Sequence, residues 1–181
     1  MSRRINQPLT YEDYARLPSD RNRYELLAGV LHVTPAPSPL HQRVSKRLQR
    51  RLEAHFEARG LGEVFNAPID VILTRQDVVQ PDLVVVTDPA QVSARAIEGA
   101  PPLVVEVLSP ATRRYDRTTK MTRLAELGVA HFWIVDPEDR RLECYRLESG
   151  RYRLVLRAGG DEVVEHPDFP GLLLTLGAIW P

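Results

Sequence analysis

Spacing alone divides the chain into elements. A short helical pattern over residues 11–17 comes first, then a strand or hairpin over residues 24–33. The rhythm then changes. Leu40, Val44, Leu48, Leu52 and Phe56 recur every four residues, which draws one apolar stripe along a helix. Ser38 and Pro39 supply an N-cap and a first helical position after the stiff Pro35-Ala36-Pro37 connector, and Gly60 supplies a stop. Three stretches rich in valine, isoleucine or leucine follow, at residues 63–73, 81–87 and 103–108, each bounded by Pro, Gly or Asp. The last two read as buried strands.

A second helix starts at Thr112 or Arg113, runs to Leu127 and stops at Gly128, and Phe132-Trp133-Ile134-Val135-Asp136 follows as another buried strand. Strand, helix, strand predicts a parallel crossover. Residues 142–147 and 152–156 around Ser149-Gly150 predict a hairpin. The order of helix, three strands, helix and strand is an α/β layout, with a mixed central sheet flanked by helices and a C-terminal hairpin. No repeat, low-complexity tract or long linker interrupts it, so one domain over residues 1–181 is expected, with its core at about 20–147 and an extension at 148–181. Leu172-Leu173-Leu174 with Trp180 suits either core or interface.

Composition narrows the class. With 181 residues, 43% hydrophobic and 27% charged, the chain is neither collagenous, coiled-coil nor wholly disordered. Its longest apolar runs fall far below the roughly 18 residues of a membrane span. Arg3 and Arg4 are followed by Glu12, Asp13 and Arg16 where a signal peptide needs an apolar stretch, so a cytoplasmic, membrane-free setting is expected. Cys144 is the only cysteine, which excludes an intrachain disulfide and a cysteine-cluster zinc site; a buried strand position as a small hydrophobe suits it.

Lysine and arginine total 24, as do aspartate and glutamate, so no global field draws the chain onto nucleic acid. The distribution is uneven. Residues 38–52 hold Arg43, Lys46, Arg47, Arg50 and Arg51 with no acid, and residues 113–123 hold Arg113, Arg114, Arg117, Lys120 and Arg123 against Asp116 alone. These stripes are either solvated helix faces or phosphate contacts.

The common nucleotide-binding and hydrolase motifs GxGxxG, GxxxxGK[ST], GxSxG and HExxH are absent. The five histidines, His32, His41, His55, His131 and His166, show no tight metal-ligand spacing and are expected to be structural or at the surface. An acidic set remains. Glu106 lies inside the buried Leu103–Leu108 run, where an unpaired carboxylate would cost several kcal/mol. It is an edge-strand residue, a structural ion pair, or a ligand or acid-base group. Asp82 after Pro81 is a turn residue or its partner: two carboxylates on neighbouring strands can hold Mg²⁺, and a lysine completes such a site. Lys120, with Asp116 four residues before it, is that candidate.

Pro81-Asp82 and Glu106 on this element order resemble the PD-(D/E)XK restriction-endonuclease superfamily. More narrowly, Tyr24-Glu25-Leu26, Ser38-Pro39-Leu40-His41-Gln42, Gln80-Pro81-Asp82-Leu83, Val105-Glu106-Val107-Leu108-Ser109-Pro110, Asp116 with Lys120, and Trp133-Ile134-Val135-Asp136-Pro137 resemble the Uma-type endonucleases. The likeness covers residues 11–145. It implies a Mg²⁺- or Mn²⁺-dependent endonuclease acting on DNA, with Asp82 and Glu106 as metal carboxylates. It also implies that Lys120 takes the catalytic role that the motif places two residues after the glutamate, where Leu108 stands here. Glu25 becomes a further acid near the metal or else an ion-paired strand residue. His41 becomes a phosphate or proton-transfer group or else a capping residue, and Asp70 a weaker candidate for the same cleft. Arg43, Lys46, Arg47, Arg50, Arg113 and Arg117 would meet the DNA backbone. Leu124 and His131-Phe132 depart from the family's aromatic and acidic-aromatic positions. A homodimer suits two-strand cutting with one centre per chain. The competing expectation is a noncatalytic nucleic-acid-binding or assembly protein that keeps the fold.

Overall fold

The computed structural model describes residues 7–18, 20 and 22–181; Arg3 and Arg4 lie outside them. In chain order, α1 (Tyr11–Tyr14) precedes the hairpin β1 (Arg23–Leu27) and β2 (Val30–Thr34), then α2 (Pro39–Phe56). The strands β3 (Glu63–Asn66), β4 (Val71–Thr74), β5 (Asp77–Val79), β6 (Leu83–Val86), β7 (Ile97–Glu98) and β8 (Leu103–Val107) follow. A helical segment in three parts, α3 (Arg113–Tyr115), a π-helical turn (Asp116–Lys120) and α4 (Met121–Glu126), leads to β9 (His131–Asp136). The hairpin β10 (Arg141–Glu148) and β11 (Arg151–Gly159) comes next, and β12 (Val163–Glu165) with β13 (Leu173–Thr175) closes the chain.

Two sheets carry the fold. The larger has the order β11-β10-β9-β8-β6-β3, and its β8-β9 pair is parallel, as the crossover requires. The second has the order β2-β1-β5-β4-β7 and was not foreseen. Residues 63–73, expected as one strand, are two: β3 pairs with β6 in the large sheet, and β4 pairs with β5 and β7 in the other. Pro68 stands between them and has no N–H with which to continue a ladder. Both hairpin turns, Ala28-Gly29 and Ser149-Gly150, have positive φ at both positions, the type I′ pattern that fits strand twist.

Strand parity divides the large sheet into two faces. Leu83, Val85, Leu103, Val105, Val107, Trp133 and Val135 pack against Val44, Leu48, Leu52 and Phe56 of α2. Leu172, Leu174, Leu176, Ile179 and Trp180 join the same cluster, so the C-terminal apolar run is core, although Leu173 points outward. Cys144 is buried there too. On the other face, Val84, Val86, Val104, Phe132 and Ile134 meet Leu124 of α4 and Leu27, Val71, Val79 and Ile97 of the second sheet. Leu40 departs from its expected place and is exposed; His41 takes the inward position in the first turn of α2. The Ser38 cap forms as expected, its hydroxyl accepting the His41 N–H at 3.3 Å. Among the described residues no helix is long and apolar enough to cross a membrane.

Candidate active site

The same parity that builds the core delivers the acids. Glu106 shares its face of β8 with Val104, and Asp82, just before β6, shares its face with Val84 and Val86. Because Leu83 pairs with Val105, continuing the antiparallel register brings Asp82 opposite Glu106. Glu25 lies on β1 two residues before Leu27, which packs on that same side, and Arg23 is two residues earlier again. The crossover helix covers this face, and its π-helical turn begins with Asp116 and ends with Lys120. Single π-turns recur at functional sites because they re-aim side chains that an α-helix would place elsewhere. These groups line one cavity of about 250 Å³, which Arg23, His41, Ser109 and Thr112 also border.

Lys120 is the hub. Its Nζ donates to Glu25 Oε1 at 2.6 Å and lies 2.6 Å from Glu106 Oε1, although the second contact falls outside hydrogen-bond geometry and leaves that buried oxygen without a hydrogen-bond partner. Glu25 Oε1 also accepts the Gln80 N–H at 2.8 Å. Asp82 is held more fully: Arg23 donates to its Oδ1 at 2.8 Å, while His41 Nε2 and the Val107 N–H donate to its Oδ2 at 3.0 and 2.8 Å. His41 Nδ1 is buried without a partner. Glu25, His41, Asp82, Glu106, Asp116 and Lys120 are all under one-tenth exposed.

Charges at this density shift one another. Burial pushes the Glu106 carboxyl well up, and the Asp116, Asp82 and Glu25 charges reinforce this against the opposing pull of Lys120. Asp116 is pushed up to about 6, by burial first and by Glu25 and Asp82, despite Lys120 and a hydrogen bond from Thr112. For Lys120 burial works downward, but Glu106, Glu25 and Asp116 outweigh it and keep the ammonium charged. Burial likewise raises Asp82, yet the His41 hydrogen bond and the His41 and Arg23 charges hold it below the usual carboxylate range.

The structure therefore brings Glu25, His41, Asp82, Glu106 and Lys120 together. Asp70 faces a separate, adjoining cavity, where its Oδ1 accepts from Tyr14 at 2.7 Å and Gln80 at 2.9 Å. Of the basic candidates, Arg43, Lys46 and Arg50 are exposed on α2, and Arg47 donates to the Trp180 carbonyl. Arg113 forms a two-pronged pair with Asp136 at 2.7 and 3.0 Å and reaches Glu138, and Arg117 pairs with Glu143 at 2.6 Å. Arg23 was missed by sequence reasoning. The strand period of two, which puts it on the Glu25 face, was the signal that could have found it.

Folding brings one histidine trio together that is far apart in the sequence. His131, His166 and Asp168 have potential ligand atoms within 4.8 Å of one another. However, the Asp168 N–H donates to His166 Nδ1 at 3.1 Å, which puts the proton of the neutral ring on Nε2, the nitrogen a metal would need. Two of these residues lie 35 positions apart, beyond any spacing rule.

The architecture is a restriction-endonuclease-like α/β core, and it is shared with a solved structure. The crystal structure titled as a putative nuclease belonging to DUF820, from Anabaena variabilis, superposes with a TM-score of 0.76 at 18% identity, covering 96% of this chain and 98% of that one. An uncharacterized protein of Synechocystis sp. is 32% identical over 114 residues, and this match spans 62% of the present chain and 60% of the relative. The profile of the Uma2 family, described as "Putative restriction endonuclease", matches residues 11–177. The chain belongs to the Uma2 family.

Proposed function

We propose that the protein is a divalent-metal-dependent endonuclease that hydrolyses DNA phosphodiester bonds at the Glu106–Lys120 centre. The observation that carries this is the charge of one small buried cavity, where Glu25, Asp82, Glu106 and Asp116 outnumber Lys120 and Arg23. Hard oxygen donors in such excess fit Mg²⁺ or Mn²⁺. The buried Glu106 oxygen that lacks a hydrogen-bond partner fits the same group. Asp82 and Glu106 would hold the ion, with Asp116 beside them. The ion would lower the pKa of a bound water and offset charge on the phosphodiester.

The chain's own side chains do the rest. Glu25 fixes the Lys120 ammonium, which stays charged and stabilises the negative charge that develops on phosphate oxygens. Arg23 and His41 hold the Asp82 carboxylate in one orientation. The exposed Arg43, Lys46 and Arg50 of α2 attract the backbone phosphates. Supercoiled plasmid tests the reading: Mg²⁺ or Mn²⁺ should support nicking that EDTA abolishes and that Glu106→Gln does not show. A noncatalytic DNA-binding role is favoured by one feature, the engagement of both Asp82 oxygens by Arg23, His41 and the Val107 amide. Absence of nicking alongside retained DNA binding would support that role.

A further inference from the structure

A second, larger cavity of about 690 Å³ adjoins the catalytic one, and the two share the wall formed by Arg23, Pro37, His41 and Asp82. The larger volume falls within the range of small-molecule sites, roughly 300–1,000 Å³, whereas the catalytic cavity of 250 Å³ falls below it. Its lining is unlike that of its neighbour. One wall is a single row of α2, Gln42, Ser45, Lys46 and Gln49, at the spacing that aligns side chains on one helix face. The facing wall carries Tyr14, Asn66 and Gln80 with Asp70.

Amide side chains present a donor and an acceptor together, the complement of a nucleobase edge, and the half-buried Tyr24, which also lines this cavity, offers a ring for stacking. Asp70 inside this cavity would repel a phosphate but accept from a base N–H. The exposed side chains of Gln42 and Lys46 form no hydrogen bond or ion pair among the described residues, so their polar ends are available to a ligand. Phosphate-attracting charge stands at the borders instead, with Arg23 in the shared wall and Lys46 on the helix.

We propose that this cleft receives the base of an unpaired nucleotide next to the scissile phosphate, so that the protein selects single-stranded or locally unpaired DNA over continuous duplex. This rests on the nuclease reading for the position of the phosphate. A base inside a stacked duplex cannot enter a cleft of this kind without leaving its pair.

The test is equilibrium binding, which does not depend on turnover. Fluorescence anisotropy in Ca²⁺ at about 150 mM salt would compare three labelled DNAs: a single strand, its blunt duplex, and the same duplex with one unpaired nucleotide. Wild type should bind the single strand and the bulged duplex at least about tenfold more tightly than the blunt duplex. Gln42→Trp, which fills the cleft from an exposed helix position, should erase that ratio. Ala54→Trp, which adds the same bulk elsewhere on α2, should keep it. A ratio near one in wild type, no binding at all, or a ratio untouched by Gln42→Trp overturns the proposal. Plasmid nicking run in parallel separates the two readings: the binding preference without nicking sinks the nuclease alone, and nicking without the preference sinks the cleft assignment alone.

Discussion

The two faces of the large sheet are made by alternate residues of the same strands, yet they obey different rules. Leu103, Val105 and Val107 of β8 enter a dry cluster with α2, while Glu106, between two of them in sequence, enters a cavity with three other carboxyl groups and one lysine. Every side chain on the first face gains by burial at about 25 cal/mol per Å². On the second, burial works against the charged forms, and the cluster holds only because Lys120, Arg23 and His41 answer the acids. The difference shows that one strand can feed an apolar cluster from its odd positions while an even one, Glu106, enters a charged cavity beside the core residue Val104.

Substitutions that cross this division should have the largest effects. Lys120→Met leaves Glu25 and Glu106 buried without their cation, and should cost about 3–5 kcal/mol in urea unfolding besides abolishing nicking. Leu48→Ala opens a cavity on the dry face and should cost about 2–5 kcal/mol, while nicking per folded molecule stays unchanged. If Leu48→Ala lost activity as Lys120→Met does, the two faces would not be separable.

Acid should attack the dry face through His166. Burial, and then the charge of His131, push its imidazole down to about 4, from about 6.5 in an unfolded chain. Neutral in both states above pH 6.5, it contributes no pH dependence there. As pH falls from 6.5 toward 4 the unfolded chain takes up a proton that the folded one refuses, so stability drops, by up to about 3 kcal/mol. Urea midpoints at pH 7 and pH 4.5 should show the loss, and His166→Phe should reduce it. At the small end, Arg75→Ala breaks an exposed pair with Glu12 at 3.1 Å and should leave the melting temperature within error, unlike the buried Lys120 pair.

Much of this arrangement is legible in the sequence where local rules apply. The four-residue stripe and Ser38-Pro39 announced α2, and the Asp116 to Lys120 interval placed both side chains on one helical surface. Pairing between distant segments is set by tertiary packing, so β4, β5 and β7 escaped notice as members of a second sheet, and the break at Pro68 was read through. Arg23 was overlooked because one arginine in a strand carries no signal until Asp82 is beside it. The Uma-type motifs contain Glu25, His41, Asp82, Glu106, Asp116 and Lys120, which line one cavity: strand parity turns Glu25, Asp82 and Glu106 toward it, while α2 and the crossover helix bring the other three.

The division of the sheet is tested most directly by Glu106→Gln, a nearly isosteric change that removes one charge from the acid-rich cavity. Wild type and variant would be compared for Mn²⁺-dependent plasmid nicking and for melting temperature on the same preparations. The account predicts that nicking falls by at least about a hundredfold while the melting temperature holds or rises, because a raised, mutually repelled carboxyl is removed. Equal nicking by both proteins, or a variant that melts well below wild type, would contradict it.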